Sequence, residues 1–329
     1  GTRAQERRWQ QHAASKETGY ATDQAQHRHW DHVHPMDRVL HLHRLDLASG
    51  RVSDLFEGSD WELPRDDTTP EPFDASPDGR HVAFAFDPAA EKLNTHRLAL
   101  AEMDLATRRV RRLTDDADWS FDVPRYAPDG QRLALLAAHS GAVHTMPMRP
   151  ALIDRSTRPS SVRPLGLQWD HEAGSAPRWA ADGRSFFVTA ERQGRCPLWR
   201  CTPDEDRFEV HTEGGWVQGF DVAGPPGAEV VVTVADAQDH PPRLHARQGS
   251  GAAQRLDRFN DRLLAGVALG GSEPVGITGA LGDAVQMWLT FPPGFDARQR
   301  HPVMQVIHGG PYAASGDTWS WRWNTHVLA

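Results

Sequence analysis

Between residues 35 and 270 the apolar positions alternate along the chain and do not recur at helical spacing. Three stretches show this most clearly: DASPDGRHVAFAF (74–86), RYAPDGQRLALLA (125–137) and RWAADGRSFFVTA (178–190). Four residues beyond Asp78, Asp129 and Asp182 stand Val82, Leu133 and Phe186; six beyond stand Phe84, Leu135 and Val188. A period of two places these pairs on one face of a strand. The residues between them, Ala83, Ala134 and Phe187, are apolar too, which predicts strands covered on both faces, as when sheets stack on sheets. Gly79, Gly130 and Gly183 supply the positive φ of each preceding turn, and Pro77 and Pro128 pre-set φ ahead of two of them.

The Asp-Gly pairs lie 51 and 53 residues apart. A second shared outline, strand, short polar turn and strand, runs through HRLDLASGRVSDLF (43–56), LAEMDLATRRVRRLT (100–114) and PLWRCTPDEDRFEVHT (197–212). Each unit of about fifty residues therefore holds about four short strands. All-strand repeats of that length predict a β-propeller. Three clear blades are expected, with a partial one at the front and a divergent one over 220–248, where Val230 to Val234 remains but the Asp-Gly turn is lost. Beyond 270 the character changes. Met287 to Phe291 reads as a strand, and Val303 to Ile307 as a fully apolar strand feeding Gly-Gly-Pro, the way a parallel α/β sheet presents chemistry at its strand ends. The expected fold is mainly β: a partial propeller of four-stranded blades over 1–270, then the first strands of an α/β-hydrolase domain over 271–329.

Hydrophobic residues at 39% suffice for a sizeable core, and the formal net charge is −8. Basic residues form no long stripe: Arg108, Arg109, Arg111 and Arg112 are followed at once by Asp115, Asp116 and Asp118. That pattern reads as a solvated strand end and argues against a nucleic-acid partner. No apolar run has transmembrane length, and the first residues carry no apolar signal-peptide region. Cys196 and Cys201, if joined by a strand, lie roughly 16 Å apart, too far to pair with one another. Free thiols favour a reducing, cytoplasmic compartment, with the periplasm as the alternative.

The chemistry concentrates in VIHGGPYAASG (306–316). In acyl transfer the carbonyl oxygen becomes an anion, which pre-placed backbone N–H groups stabilise. Glycines let the backbone approach closely, and a strand followed by His-Gly-Gly is a form this takes in α/β-hydrolases. Gly309 and Gly310 are the expected oxyanion donors. Pro311 fixes the exit, and Tyr312 is the nearest candidate for a pocket wall. The competing reading of Gly-Gly-Pro is a simple tight turn.

HRHWDHVHPMDRVLHLHRLDLASGRVSDL (27–55), the Ser-Pro-Asp-Gly-type turns and FPPGFDARQRHPVMQVIHGGPYAASGDTWSWRWNTHVLA (291–329) together resemble the prolyl oligopeptidase family of serine peptidases. The likeness is strongest to its acylaminoacyl-peptidase and dipeptidyl-peptidase-like branch. The resemblance implies a propeller capping an α/β-hydrolase and limiting substrate size, with short peptides as substrates and no cofactor. It also implies that Gly309 lies in the oxyanion hole. His308 falls where the dipeptidyl-peptidase branch carries an oxyanion-binding tyrosine, which favours acylaminoacyl-type chemistry and marks His308 as substrate-binding. No serine here sits in G-x-S-x-G. In the family the nucleophile, aspartate and histidine come after the glycine loop, so the expectation is a piece of a longer protein, inactive alone. The expected partners are a further copy of the chain, or a companion chain that carries the remaining hydrolase domain.

Other groups compete for attention. His27, His29, His32, His34, His41 and His43 crowd one segment. Alternate histidines on a strand could hold zinc, but no cysteine stands near, and the segment reads as an exposed hairpin with no metal. Trp319, Trp321 and Trp323 alternate, as a pocket wall or as packing. Glu62 and Glu191 could hold a substrate's amino terminus, and Arg192 a carboxylate. The rival function is a non-catalytic propeller that binds peptides or proteins; the strand and glycine loop weigh against it.

Overall fold

The computed structural model describes residues 39–329 apart from 66–70, 90–96, 142–145, 158–160 and 310–313, together with scattered positions before 39. Among the latter, β1 (Arg28–His29) pairs with β2 (His32–Val33). The chain divides into two compact units, Gly1–Leu165 and Gly166–Ala329, so the division falls within the blade series.

In the first unit, β3 (His43–Leu45) and β4 (Val52–Asp54) form the partial front blade. A four-stranded antiparallel sheet comes next, β5 (Phe73–Ala75), β6 (His81–Phe86), β7 (Ala99–Asp104) and β8 (Val110–Arg112). After it stands the sheet of β9 (Trp119–Tyr126), β10 (Arg132–His139), β11 (Arg149–Asp154) and β12 (Val162–Pro164). The second unit holds β13 (Arg178–Trp179), β14 (Phe186–Thr189), β15 (Leu198–Thr202) and β16 (Arg207–Val210). The divergent sheet is β17 (Trp216–Ala223), β18 (Val230–Ala237), β19 (His240–Gln248) and β20 (Gln254–Arg255). A separate hairpin closes the series, β21 (Ser272–Thr278) with β22 (Ala284–Thr290). These meandering four-stranded sheets are propeller blades, and the expected three clear, one partial and one divergent unit are all found.

The turns form for the local reasons legible in the chain. Gly79, Gly130 and Gly183 take φ of 68°, 69° and 65°, and each succeeding Arg or Gln N–H donates to the Asp78, Asp129 or Asp182 carboxylate. The strands they launch are buried on both faces, as predicted. Successive sheets then share cores. Phe56, Phe84 and Phe86 pack with Trp61 between the front hairpin and the first full blade, with Phe56 and Phe84 ring centroids 5.0 Å apart. Ala83, Leu133, Leu135 and Ile153 lie between the first and second blades. Phe187, Leu198, Val217 and Val231 join the third and fourth.

Neither cysteine forms a disulfide and both are buried; strand geometry excludes their pairing with one another. Burial, with the charge of Glu191, pushes the Cys196 thiol up to about 11, which keeps it protonated and unreactive at neutral pH.

His211 stands just after β16, its ring edge-on to Phe187 at 5.1 Å. Burial and the charges of Arg247 and Arg200 lower it to about 4. Between its ordinary value near 6.5 and that folded value, the unfolded chain binds the extra proton. Stability contributed here is full above pH 6.5 and is lost as pH falls towards 4. His211→Phe, which keeps the edge-on packing, should flatten that part of a denaturation-versus-pH curve relative to the parent; an unchanged slope between pH 6.5 and 4 would refute the assignment.

Candidate functional site

The segment expected to be a strand, Val303 to Ile307, is irregular. Val303 and Ile307 are 91% and 80% exposed. An apolar run becomes a strand only when a neighbour completes its ladder, and among the described residues no strand lies beside it. The strand expected earlier in the chain is present: Met287 to Thr290 lie in β22. Of the four candidate site residues, Gly310 and Tyr312 fall outside the described residues. His308 is exposed, its Nδ1 2.8 Å from the Gly309 carbonyl oxygen. Gly309 is exposed as well; a Cβ added there would meet no atom within 4 Å.

The chain just beyond the loop is firmly held. Gly316 lies against the indole of Trp216, leaving no room for a side chain. The Asp317 N–H donates to the Gly194 carbonyl at 2.7 Å. Its carboxylate, 14% exposed, accepts the Gln238 N–H at 3.1 Å and the Gly215 N–H at 3.3 Å, and pairs with Arg195 Nε at 3.4 Å. Arg195 in turn lies over the Trp288 ring at 5.0 Å. The Thr318 hydroxyl donates to Asp236 Oδ1 at 2.9 Å, and Gln218 Nε2 to Asp236 Oδ2 at 2.6 Å. Burial outweighs the Thr318 and Trp319 hydrogen bonds and raises the Asp236 carboxyl above its usual range, with help from the Asp317 charge. Nearby, the Thr290 hydroxyl lies within hydrogen-bond distance of Gln238 Oε1 and Thr325 Oγ1, at 3.2 and 3.0 Å. The motif SGDTW contains this anchor but gives no sign of it, because its partners come from turns some 80 to 120 residues earlier.

Of the alternating tryptophans, Trp319 is half-buried, with its ring centroid 5.3 Å from that of Trp321, while Trp321 and Trp323 are exposed. Glu62 is buried and paired with Arg65 at 2.7 Å, so it is committed to structure. Glu191 is exposed and makes no hydrogen bond or ion pair among the described residues. Partial burial, and the neighbouring Glu172 charge, raise its carboxyl. Arg192 lies 6.0 Å over the Trp199 ring. His41 bonds Asp54 at 2.8 Å. No group of three His, Cys, Asp or Glu in metal-holding geometry occurs among the described residues; the side chains of 27–38 lie outside them. Likewise no described helix is long and apolar enough to cross a membrane.

The chain is 23% identical over 324 residues to dipeptidyl-peptidase 5 of Porphyromonas gingivalis, covering 95% of this chain and 46% of that one. It is 27% identical over 273 residues to a probable dipeptidyl-peptidase 5 of Arthroderma benhamiae, covering 78% of this chain and 37% of that one. The chain thus spans less than half the length of these curated relatives. Among solved structures, the acylaminoacyl peptidase of Pyrococcus horikoshii superposes with a TM-score of 0.63 at 14% identity, covering 85% of this chain and 40% of that one. This last likeness is one of fold. No family model matches the chain.

Proposed function

We propose that this chain, which falls within the prolyl oligopeptidase family, supplies propeller blades and an oxyanion-binding glycine loop to a serine peptidase that releases dipeptides from short peptides. The observation that carries the reading is the match of 95% of the chain to a dipeptidyl-peptidase. A binding propeller has no need of a strand-like run and His-Gly-Gly-Pro placed directly after its blades.

The chemistry is acyl transfer. A serine hydroxyl attacks the scissile carbonyl while a histidine takes its proton; the Gly309 N–H donates to the oxygen as it becomes an anion. The histidine then returns the proton to the departing amine, and water hydrolyses the ester. By the family resemblance, serine, histidine and orienting aspartate lie in sequence after the glycine loop. His308 borders the loop beside the developing charge. The propeller limits entry to short, flexible chains.

Cutting two residues from a free amino terminus requires an anionic group to receive the ammonium. Of the two candidate acids, Glu62 is committed to Arg65, and Glu191, with Glu172 near it, is left without a cationic partner among the described residues. Glu191→Gln should raise KM on the order of tenfold for a substrate with a free amino terminus, the worth of a charged hydrogen bond, and leave an N-acetylated substrate unchanged. Hydrolysis of paired dipeptidyl and N-acetyl-aminoacyl nitroanilides by the natural polypeptide containing these residues tests the reading. Preference for the free dipeptidyl substrate supports it. Preference for the acetylated one would assign acylaminoacyl release, as His308 suggests, and cleavage of neither would leave a binding propeller.

A further inference from the structure

Three separate blade turns converge on one carboxylate just after the glycine loop. Gly194 and Arg195 belong to the connection between β14 and β15, Gly215 immediately precedes β17, and Gln238 sits in the turn from β18 to β19. Each contributes to holding Asp317: a carbonyl for its N–H, a guanidinium and two N–H groups for its side chain. Two of these turns are closely packed at glycine. Gly215 has φ of 61°, and a Cβ there would enter the Asp236 carbonyl; Gly194 has φ of 71°, and a Cβ would strike Gln286 and Trp288. On the loop side, Gly316 is pressed on Trp216. A surface turn has no use for such close approach from two directions. A loop whose donors must not move during reaction does, because preorganised donors lose their value when they must reorganise.

We infer that Asp317 is a positioning residue for the glycine loop, fixing its exit to the blade turns at Gly194–Arg195, Gly215 and Gln238. The inference rests on the peptidase reading for its catalytic consequence and on geometry alone for the clamp. The blades then act in catalysis as well as in filtering: they hold the chain at Asp317, eight residues beyond the donor Gly309. Loss of the clamp leaves the substrate contact proposed for Glu191 in place but lets the Gly309 donor wander, so the effect falls mainly on kcat.

The test has two arms. In the first, hydrogen–deuterium exchange is measured in the parent, Asp317→Ala, Asp317→Asn and Arg195→Gln. Asp317→Ala should speed exchange of the Gly215 and Gln238 amides and of 314–318 on the order of tenfold, the worth of hydrogen bonds to a charged group, while β14 and β18 keep their protection. Asp317→Asn retains an acceptor oxygen and should be intermediate; it also serves if the alanine variant fails to fold. Arg195→Gln removes only the ion pair and should change least. Unchanged exchange at all three places overturns the clamp. In the second arm, the natural polypeptide containing these residues carries the same variants against a dipeptidyl nitroanilide. A fall in kcat on the order of tenfold, with KM steady within about twofold, supports positioning. Faster exchange with an unaltered kcat overturns it. A parent that cleaves no peptide defeats the peptidase reading, and the exchange arm then decides the clamp by itself.

Discussion

Replacing Glu102 by alanine is expected to lower the unfolding free energy of the first unit by about 3–5 kcal/mol, the usual cost of removing one partner of a buried ionic cluster. Glu102 is 2% exposed in the middle of β7. Its carboxylate accepts from Arg155 Nε at 2.7 Å, from Arg111 Nη2 at 2.7 Å and from the Tyr126 hydroxyl at 2.8 Å. These partners come from β8, from β9 and from the residue just after β11, so one side chain joins two successive blades. Arg155 also lies over the Tyr126 ring at 5.1 Å. Burial alone would raise the Glu102 carboxyl; the hydrogen bonds from Arg155 and Tyr126 and the charge of Arg111 outweigh it and hold the group below its ordinary 4.5. The stabilisation is therefore fully present above that pH and is lost as pH falls through the lower folded value. Its upper end, 4.5, overlaps the acid end of the His211 window of 6.5 to 4, so the two contributions are told apart by comparing the Glu102 and His211 variants. Urea unfolding of Glu102→Ala at pH 7 and at about pH 4 is the check. A loss under about 1 kcal/mol at pH 7 would show the cluster to be screened or replaceable.

Gly309→Pro in the natural polypeptide is expected to lower kcat on the order of 10²- to 10³-fold, the cost of removing one oxyanion donor. Proline has no N–H to give. The informative companion is Gly309→Ala. Gly309 does not adopt the left-handed backbone, and an added Cβ meets nothing within 4 Å. Alanine keeps the N–H and should leave kcat within a few-fold of the parent. A uniform loss in both variants would mean that the glycine is required for its shape and not for its donor. No loss in either would remove Gly309 from the site.

Much of this fold can be read from the chain because its signals are local. The Asp78-Gly79, Asp129-Gly130 and Asp182-Gly183 turns need only their own residues: an aspartate that caps the next N–H and a glycine that accepts positive φ. The strands after them are apolar on both faces, which already states that a sheet lies on either side. The features that could not be read depend on distant partners. Val303 to Ile307 has every mark of a buried strand and is irregular, because strand structure belongs to the pair and not to the segment. Val123 adopts φ of 47° where β9 shifts register against β10 between Ala134 and Leu136; nothing in WSFDVPRY announces it. Asp317 reads as a loop aspartate until Gly215 and Gln238 arrive from another blade. Glu62 and Glu191 look alike in sequence, and only the position of Arg65 separates a structural acid from one left available.

The peptidase reading meets its most direct test in the intact mass of the natural polypeptide containing these residues after treatment with a fluorophosphonate, which labels activated serines alone. The expected result is a single adduct, on a serine in sequence after the glycine loop, lost on prior incubation with a dipeptidyl substrate analogue. A polypeptide that stays unlabelled while its blades remain folded would contradict that reading and leave a propeller that binds without cutting.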